Sequence, residues 1–242
     1  MLHYWAKRLI YLLRNSLFLG ALSSHKRSKY KEIPDKILPV LTIGDLTDES
    51  EPELVETEHH NGNVSLEELR CIAKIVRYHQ PKTIFEIGTF DGRTTMNMAI
   101  NAKESELFTL DLPQKESYRT KFRIKKGDLT FIDKEVSGKR FIGTEFESRI
   151  TQIYADSAQF DYEPYNNKID LVFIDGSHTY EYVISDTKKA LKLLKNGKGV
   201  IIWHDYGWRE VVTALNEFYL DDTRFADLKN IGDTSLAYLH LQ

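Results

Sequence analysis

Residues 173–180 read FIDGSHTY, which sets Asp175 and His178 three positions apart, directly after an apolar run. A second apolar run, GVIIWHD at 199–205, ends in Asp205. Two carboxylates converging at neighbouring strand ends repel each other unless a cation lies between them. A divalent metal gripped by Asp175 and Asp205 would also hold a substrate hydroxyl and lower its pKa. His178, within a turn of them, titrates near working pH and suits the removal of that proton. The competing use is structural: Ser177 or Thr179 capping a helix that starts near Tyr180, and Asp205 capping the next one.

These residues need a frame, and the chain alternates in a way that supplies one. Apolar, β-rich runs lie at 82–88, 107–111, 150–156, 169–175 and 199–205, and helical stretches follow the first, fourth and fifth. Two further short strands are expected around 225–230 and 235–241. Near-continuous apolar strands alternating with helices predict a doubly wound α/β domain with a mostly parallel sheet covered on both faces. Ahead of them, Ser65 and Glu68 form a capping box for a helix that Pro81 stops.

The first strand runs into FEIGTFDGRTT, residues 85–95, where glycines at 88 and 92 precede a helix. Glycines there let a backbone pass close to a ligand seated on the helix N-terminus, outside the carboxyl ends of the strands. The second strand ends in Asp111, an acid placed to accept hydrogen bonds from a ribose diol. The third ends in Asp156-Ser157, suited to an adenine edge. The turn is G-x-x-x-G rather than the dinucleotide fingerprint, so the turn itself is weak and the three strand-end acids Glu86, Asp111 and Asp156 carry the signal.

With these positions, roughly residues 65–242 resemble the class I S-adenosylmethionine-dependent methyltransferases. EIGTFDG looks like their first motif, Asp111 like the ribose acid and Asp156-Ser157 like the adenine-side motif. The resemblance implies a Rossmann-like, seven-stranded sheet with its last strand antiparallel. It also implies S-adenosylmethionine held by Glu86, Gly88, Phe90, Gly92, Thr94, Asp111, Asp156 and Ser157. DGSHTYEYVISD followed by HDY is similar to the branch of metal-dependent sugar and macrolide O-methyltransferases, near the catechol O-methyltransferases. That branch implies Asp175 and Asp205 as ligands of magnesium or manganese and His178 as the catalytic base. His204 departs from it, since a carboxylate is common there. An imidazole is softer than magnesium or calcium prefers, so His204 either stays off the metal or points to one such as manganese. Trp203, Tyr206 and Trp208 bracket the same strand end, where an aromatic could stack on a sugar or simply join the core. Arg93 could reach substrate or face water.

The expected reaction is O-methylation of a small hydroxylated acceptor such as a sugar or an anionic molecule. Two alternatives are a cephalosporin-hydroxylase-like enzyme on the same scaffold and a non-catalytic module binding an adenosine ligand or a membrane surface. No nucleic-acid partner is expected, and a homo-oligomer is open. One cysteine among 242 residues, Cys71, fits a reducing, cytoplasmic compartment and rules out an internal disulfide.

The net charge of −3 conceals segregation: residues 1–31 hold seven Lys or Arg and no acid, and residues 45–58 hold seven Asp or Glu and no base. Residues 1–64 are therefore expected to form a basic amphipathic helix and an irregular acidic linker ahead of the domain at 65–242. In the helix, Leu2, Trp5, Leu9, Leu13 and Leu17 share a face opposite Lys7 and Arg14, which suits peripheral contact of residues 1–23 with an anionic membrane surface or packing on protein. The connection 113–149 is long, and its start, KESYRTKFRIKK, carries six bases and one acid. A mobile lid over the acceptor is the expectation there.

Overall fold

The computed structural model describes residues 34–242. The basic helix expected over residues 1–23 lies outside the described residues. Strands β2 (Thr83–Ile87), β3 (Glu106–Asp111), β4 (Ile150–Tyr154), β5 (Leu171–Ile174) and β6 (Gly199–Trp203) form a parallel sheet. β8 (Ala237–Leu241) runs antiparallel between β6 and β7 (Lys229–Ile231). A two-residue strand, β1 (Val40–Leu41), pairs parallel with β7. The order is β1-β7-β8-β6-β5-β2-β3-β4, so the expected seven strands are joined by one short edge strand.

The central strands are buried on both faces, and their alternation sorts the core. Phe85, Ile87, Val172, Ile174, Ile201 and Trp203 face one layer, packed by α4 (Tyr180–Leu193) and α5 (Arg209–Asp221). Ile84, Leu171, Phe173, Val200 and Ile202 face the other, packed by α1 (Leu66–His79) and α2 (Arg93–Asn101). This is the period-two reading of a sheet covered twice, which explains why its strands read as continuous apolar runs. The chain leaves β2 toward β3 on one side and returns at β5 on the other. The carboxyl ends of β2 and β5 therefore flank a crevice where the winding reverses.

Two segments differ from expectation. The acidic stretch before α1 is irregular, yet it is held against the domain rather than left in solvent. On α2, Arg93, Asn97 and Asn101 recur every fourth residue and so share one face. Asn97 exchanges hydrogen bonds of 3.0 and 2.9 Å with the Val55 backbone, and Asn101 does the same with Glu53 at 3.0 and 2.7 Å. Arg93 donates to the carbonyls of Glu56, Val64 and Thr57. Three polar side chains in a helical row thus satisfy an extended backbone that has no sheet partner. The connection 113–149 is also built: it contains α3 (Lys126–Ile132), and its far end bonds to the β2–α2 turn through Gly138 N–H to Phe90 O at 2.9 Å and Arg140 N–H to Asp91 O at 3.0 Å. Among the described residues no helix is long and apolar enough to cross a membrane.

Candidate active site

At the end of β2, Gly88 takes φ +98°, and a Cβ there would stand 2.0 Å from the Asp175 carbonyl oxygen. Gly92, at φ +87°, would drive a Cβ into the Phe141 ring and Gly138. The backbone needs both glycines because chain packs on chain at the turn. Glu86 is buried; its Oε2 accepts from Thr95 and Thr109, each at 2.5 Å, while Oε1 has no hydrogen-bond partner. Burial pushes this carboxyl up to about 8, against the pull of the two threonine hydroxyls.

Asp111 ends β3 and is engaged by the connection that follows it. Lys134 Nζ lies 2.8 Å from its Oδ2, and Ser137 donates to the same oxygen. Asp156 accepts from Lys121 N–H, Gln159 Nε2 and Ala158 N–H, and from the Tyr182 hydroxyl at 2.9 Å. Those hydrogen bonds outweigh burial and hold its carboxyl below the usual range. Ser157 donates to Asp186 at 3.2 Å, and burial raises the Asp186 carboxyl to about 7.

Across the crevice, the ends of β5 and β6 carry a linked set of acids and imidazoles. His204 Nδ1 sits 2.9 Å from Asp175 Oδ1 and 3.0 Å from Asp205 Oδ2. His178 Nε2 sits 2.6 Å from the same Asp205 oxygen, and its Nδ1 lies 2.9 Å from Asp128 Oδ1 on α3. Glu68 on α1 reaches His204 Nε2 at 3.3 Å. Burial disfavours charge on His178, His204, Asp205, Glu68 and Asp128, but mutual pairing wins. His178 is raised to about 10 by Asp128 and Asp205, and His204 also rises well above the usual histidine value. Asp205, Glu68 and Asp128 are all held below the usual carboxylate range by the imidazoles against the same burial. Asp205 takes φ +61°, a left-handed backbone that an aspartate tolerates at some cost.

One cavity of about 290 Å³ joins the two halves, lined by Gly88, Phe90, Asp111, Asp156 and Ser157 on one side and Asp175, His178, His204 and Asp205 on the other. Glu86, Gly92 and Thr94 lie behind it in the turn and first helical winding. Asp175, His204 and Asp205 each offer an atom within 4.8 Å of the others, close enough to share one ion. The helix-capping alternative finds no support in the bonds: Thr179 precedes α4 without a side-chain cap, and the Tyr180 N–H is met instead by Glu210 at 2.9 Å. Of the three aromatics, Trp203 is core, bonded to Thr187, and Tyr206 is buried, its hydroxyl donating to Asn216. Trp208 alone stands out, 51% exposed and stacked on His178 at 5.0 Å and 19°. Arg93 neither reaches the cavity nor faces water; it is fully buried in its three carbonyl bonds.

A sheet wound in this order, with its cavity over the carboxyl ends of the parallel strands, is the Rossmann-like fold of the class I methyltransferases. A family profile described as "Methyltransferase domain" matches residues 85–206, half of the chain, and the chain belongs to that family. The methyltransferase PaMTH1 of Podospora anserina, solved with S-adenosylhomocysteine, aligns with a TM-score of 0.55 at 17% identity, over 75% of this chain and 81% of that one. The Streptomyces achromogenes O-methyltransferase TomG, solved with S-adenosylmethionine, gives 0.51 at 13% identity over 78% and 93%. "Uncharacterized protein R132" of Acanthamoeba polyphaga mimivirus is 30% identical over 149 residues, 57% of this chain and 60% of that protein's length.

Sequence reasoning missed Glu68, Asp128 and Lys134 as members of the site. Glu68 was fully explained by its capping box, and Asp128 and Lys134 lie in the long connection, where no periodicity or motif marks a residue.

Proposed function

We propose that the protein transfers the methyl group of S-adenosylmethionine to a hydroxyl of a small acceptor, with a divalent metal and His178 preparing that hydroxyl. The single observation that carries this reading is the shared cavity: the ribose acid and glycine turn open onto the same space as Asp175, His178, His204 and Asp205. Gly88, Phe90, Asp111, Asp156 and Ser157 would hold the cofactor, with Glu86, Gly92 and Thr94 setting the turn beneath it. The donor set of Asp175, His204 and Asp205 fits a divalent cation, and two carboxylates converging beside an imidazole give that cation its charge balance. When bound, the cofactor supplies an electrophilic methyl group and the metal supplies Lewis acidity. In the free site Asp128 and Asp205 favour the His178 imidazolium; with Asp205 turned to a cation, Nε2 would be released to hold the acceptor's proton, while Asp128 fixes the ring through Nδ1.

Trp208, exposed beside His178, offers a flat apolar platform for a sugar or other ring. The bases of the 115–126 segment favour an anionic acceptor, such as a phosphorylated or nucleotide-linked sugar. The segment 113–149, which already supplies Asp128, would act as the lid. Contact of residues 1–23 with anionic membranes belongs to the same reading, and flotation with anionic liposomes at low salt would detect it.

The test is calorimetric titration of the full chain with S-adenosylmethionine and S-adenosylhomocysteine, with and without manganese or magnesium. Labelled-methyl transfer to a panel of sugars, sugar phosphates and catechols follows, with and without chelator. Cofactor binding with chelator-sensitive transfer is the expected result. Failure to bind either adenosine ligand would reject the reading.

A further inference from the structure

We propose that Glu68 turns His204 into a metal ligand through Nδ1, and that this imidazole tunes the site toward a borderline cation such as manganese, cobalt or zinc and away from magnesium and calcium. The inference rests on the metal part of the reading above and concerns which metal is taken and what sets that choice.

The geometry of Glu68 exceeds what its position in the helix requires. As third residue of α1 it closes the capping box, its Oε2 accepting from Ser65 N–H at 2.9 Å. Its other oxygen, Oε1, accepts from the backbone and the hydroxyl of Ser235, at 2.8 and 2.7 Å, in the turn between β7 and β8. The carboxylate is therefore pinned from two distant segments, and its Oε2 stands 3.3 Å from His204 Nε2. A cap alone calls for neither Ser235 nor His204.

A carboxylate on that nitrogen holds the ring proton there. In the free site Nδ1 shares a proton with Asp175 Oδ1 and Asp205 Oδ2, at 2.9 and 3.0 Å; a cation entering between those carboxylates would take that proton's place on the Nδ1 lone pair. Separations near 3 Å are those between neighbouring ligands of a six-coordinate ion with bonds of about 2.1 Å. Imidazole ligands whose second nitrogen donates to a carboxylate are oriented and made more basic by it. Hard cations gain little from nitrogen, whereas manganese and the later divalent metals gain progressively more. The substitution of an imidazole for the carboxylate common at this place thus comes with its own support, built from α1 and the β7–β8 turn.

The test uses the full chain freed of metal by chelation and dialysis, titrated calorimetrically with manganese chloride and, separately, magnesium chloride. Electron spin-echo spectroscopy of the manganese adduct reports bound nitrogen. Manganese should bind at least about tenfold tighter than magnesium, with modulation from a directly bound nitrogen. His204→Asp should abolish the nitrogen signal and narrow the preference several-fold. Glu68→Gln keeps one accepting oxygen for the capping box and turns its NH2 toward Ser235, so thermal stability should fall modestly with the fold retained. Its manganese affinity should fall about 10-fold or more, with magnesium affinity within about threefold. Equal affinities in the unaltered protein, bound manganese without nitrogen coupling, or an unchanged Glu68→Gln affinity would each overturn the inference while leaving a metal site standing. Binding of neither cation would remove the metal from the proposed function as well.

Discussion

The two rims of the cavity hold buried acids in different protonation environments. Under the cofactor half, burial pushes Glu86 up to about 8 and Asp186 up to about 7, and each keeps one buried oxygen without a partner. Around the ends of β5 and β6, the less deeply buried Asp205, Glu68 and Asp128 are depressed because two imidazoles stand between them. Burial alone raises a carboxyl, and a cationic neighbour, or several donated hydrogen bonds as at Asp156, reverses that sign. The difference separates environments: Glu86 and Asp186 are held toward the neutral form, while Asp205, Glu68 and Asp128 are held toward the charged one.

The largest effect should come from the charged rim. His178→Ala removes the imidazole that touches both Asp205 and Asp128. Turnover on any acceptor found should fall about 10²- to 10⁴-fold while cofactor affinity, read by calorimetry, stays within twofold. A full-activity His178→Ala enzyme would reduce the charged rim to an ion network of structural meaning only.

The neutral rim is tested by pH. Glu86 has a folded value of about 8 against 4.5 in the free side chain, and Asp186 about 7 against 3.8. For acids raised in this way, the folded state holds protons the unfolded chain has lost. Their contribution to stability is full below the unfolded values and is lost as pH rises through about 7 to 8. Each group then contributes a slope of up to about 1.4 kcal/mol per pH unit inside its window. Urea unfolding of Glu86→Gln and Asp186→Asn should show a flatter profile than the unaltered protein between about pH 5 and 8. Parallel profiles would mean that both acids are ionised in the fold.

How much of this was legible beforehand follows the same division. Strand ends were readable because buried parallel strands are apolar until they stop, and their last residues are the site: Asp111, Asp175 and Asp205 all fell where a run broke. Glycines 88 and 92 were readable too, although the bodies they make room for, the Asp175 carbonyl and the Phe141 ring, belong to distant segments that no local pattern names. The strap over α2 was missed because its partners are side-chain amides, which leave no β pattern in the strap itself. Asp128 and Lys134 were invisible for the same reason, since their meaning comes only from what lies across the cavity.

Removing Asp111 should cost about 1.5–3 kcal/mol of S-adenosylmethionine binding in Asp111→Ala, the range for hydrogen bonds to a charged group. Calorimetry reads this directly. An unchanged affinity would take Asp111 out of the cofactor site.

The smallest effect concerns Lys134, and it decides whether the rims differ in kind. Its ammonium lies 2.8 Å from Asp111 Oδ2, and Ser137 donates to the same oxygen, so one side of this carboxylate is occupied by the connection that overlies it. A ribose hydroxyl seeking Oδ2 must displace a donor already there, and the sulfonium of the cofactor would approach a cavity that Lys134 makes more positive. Lys134→Ala removes both obstacles and should tighten S-adenosylmethionine binding by about 0.5–1 kcal/mol, a size set by the partial exposure of the pair. S-adenosylhomocysteine, which lacks the sulfonium charge, should gain less, so the two ligands separate competition for Asp111 from simple charge repulsion. Equal gains would assign the whole effect to the freed carboxylate. Weaker binding of both ligands would show that Lys134 orients Asp111 for the ribose, and the cofactor rim would then be prepared by ion pairing just as its opposite is.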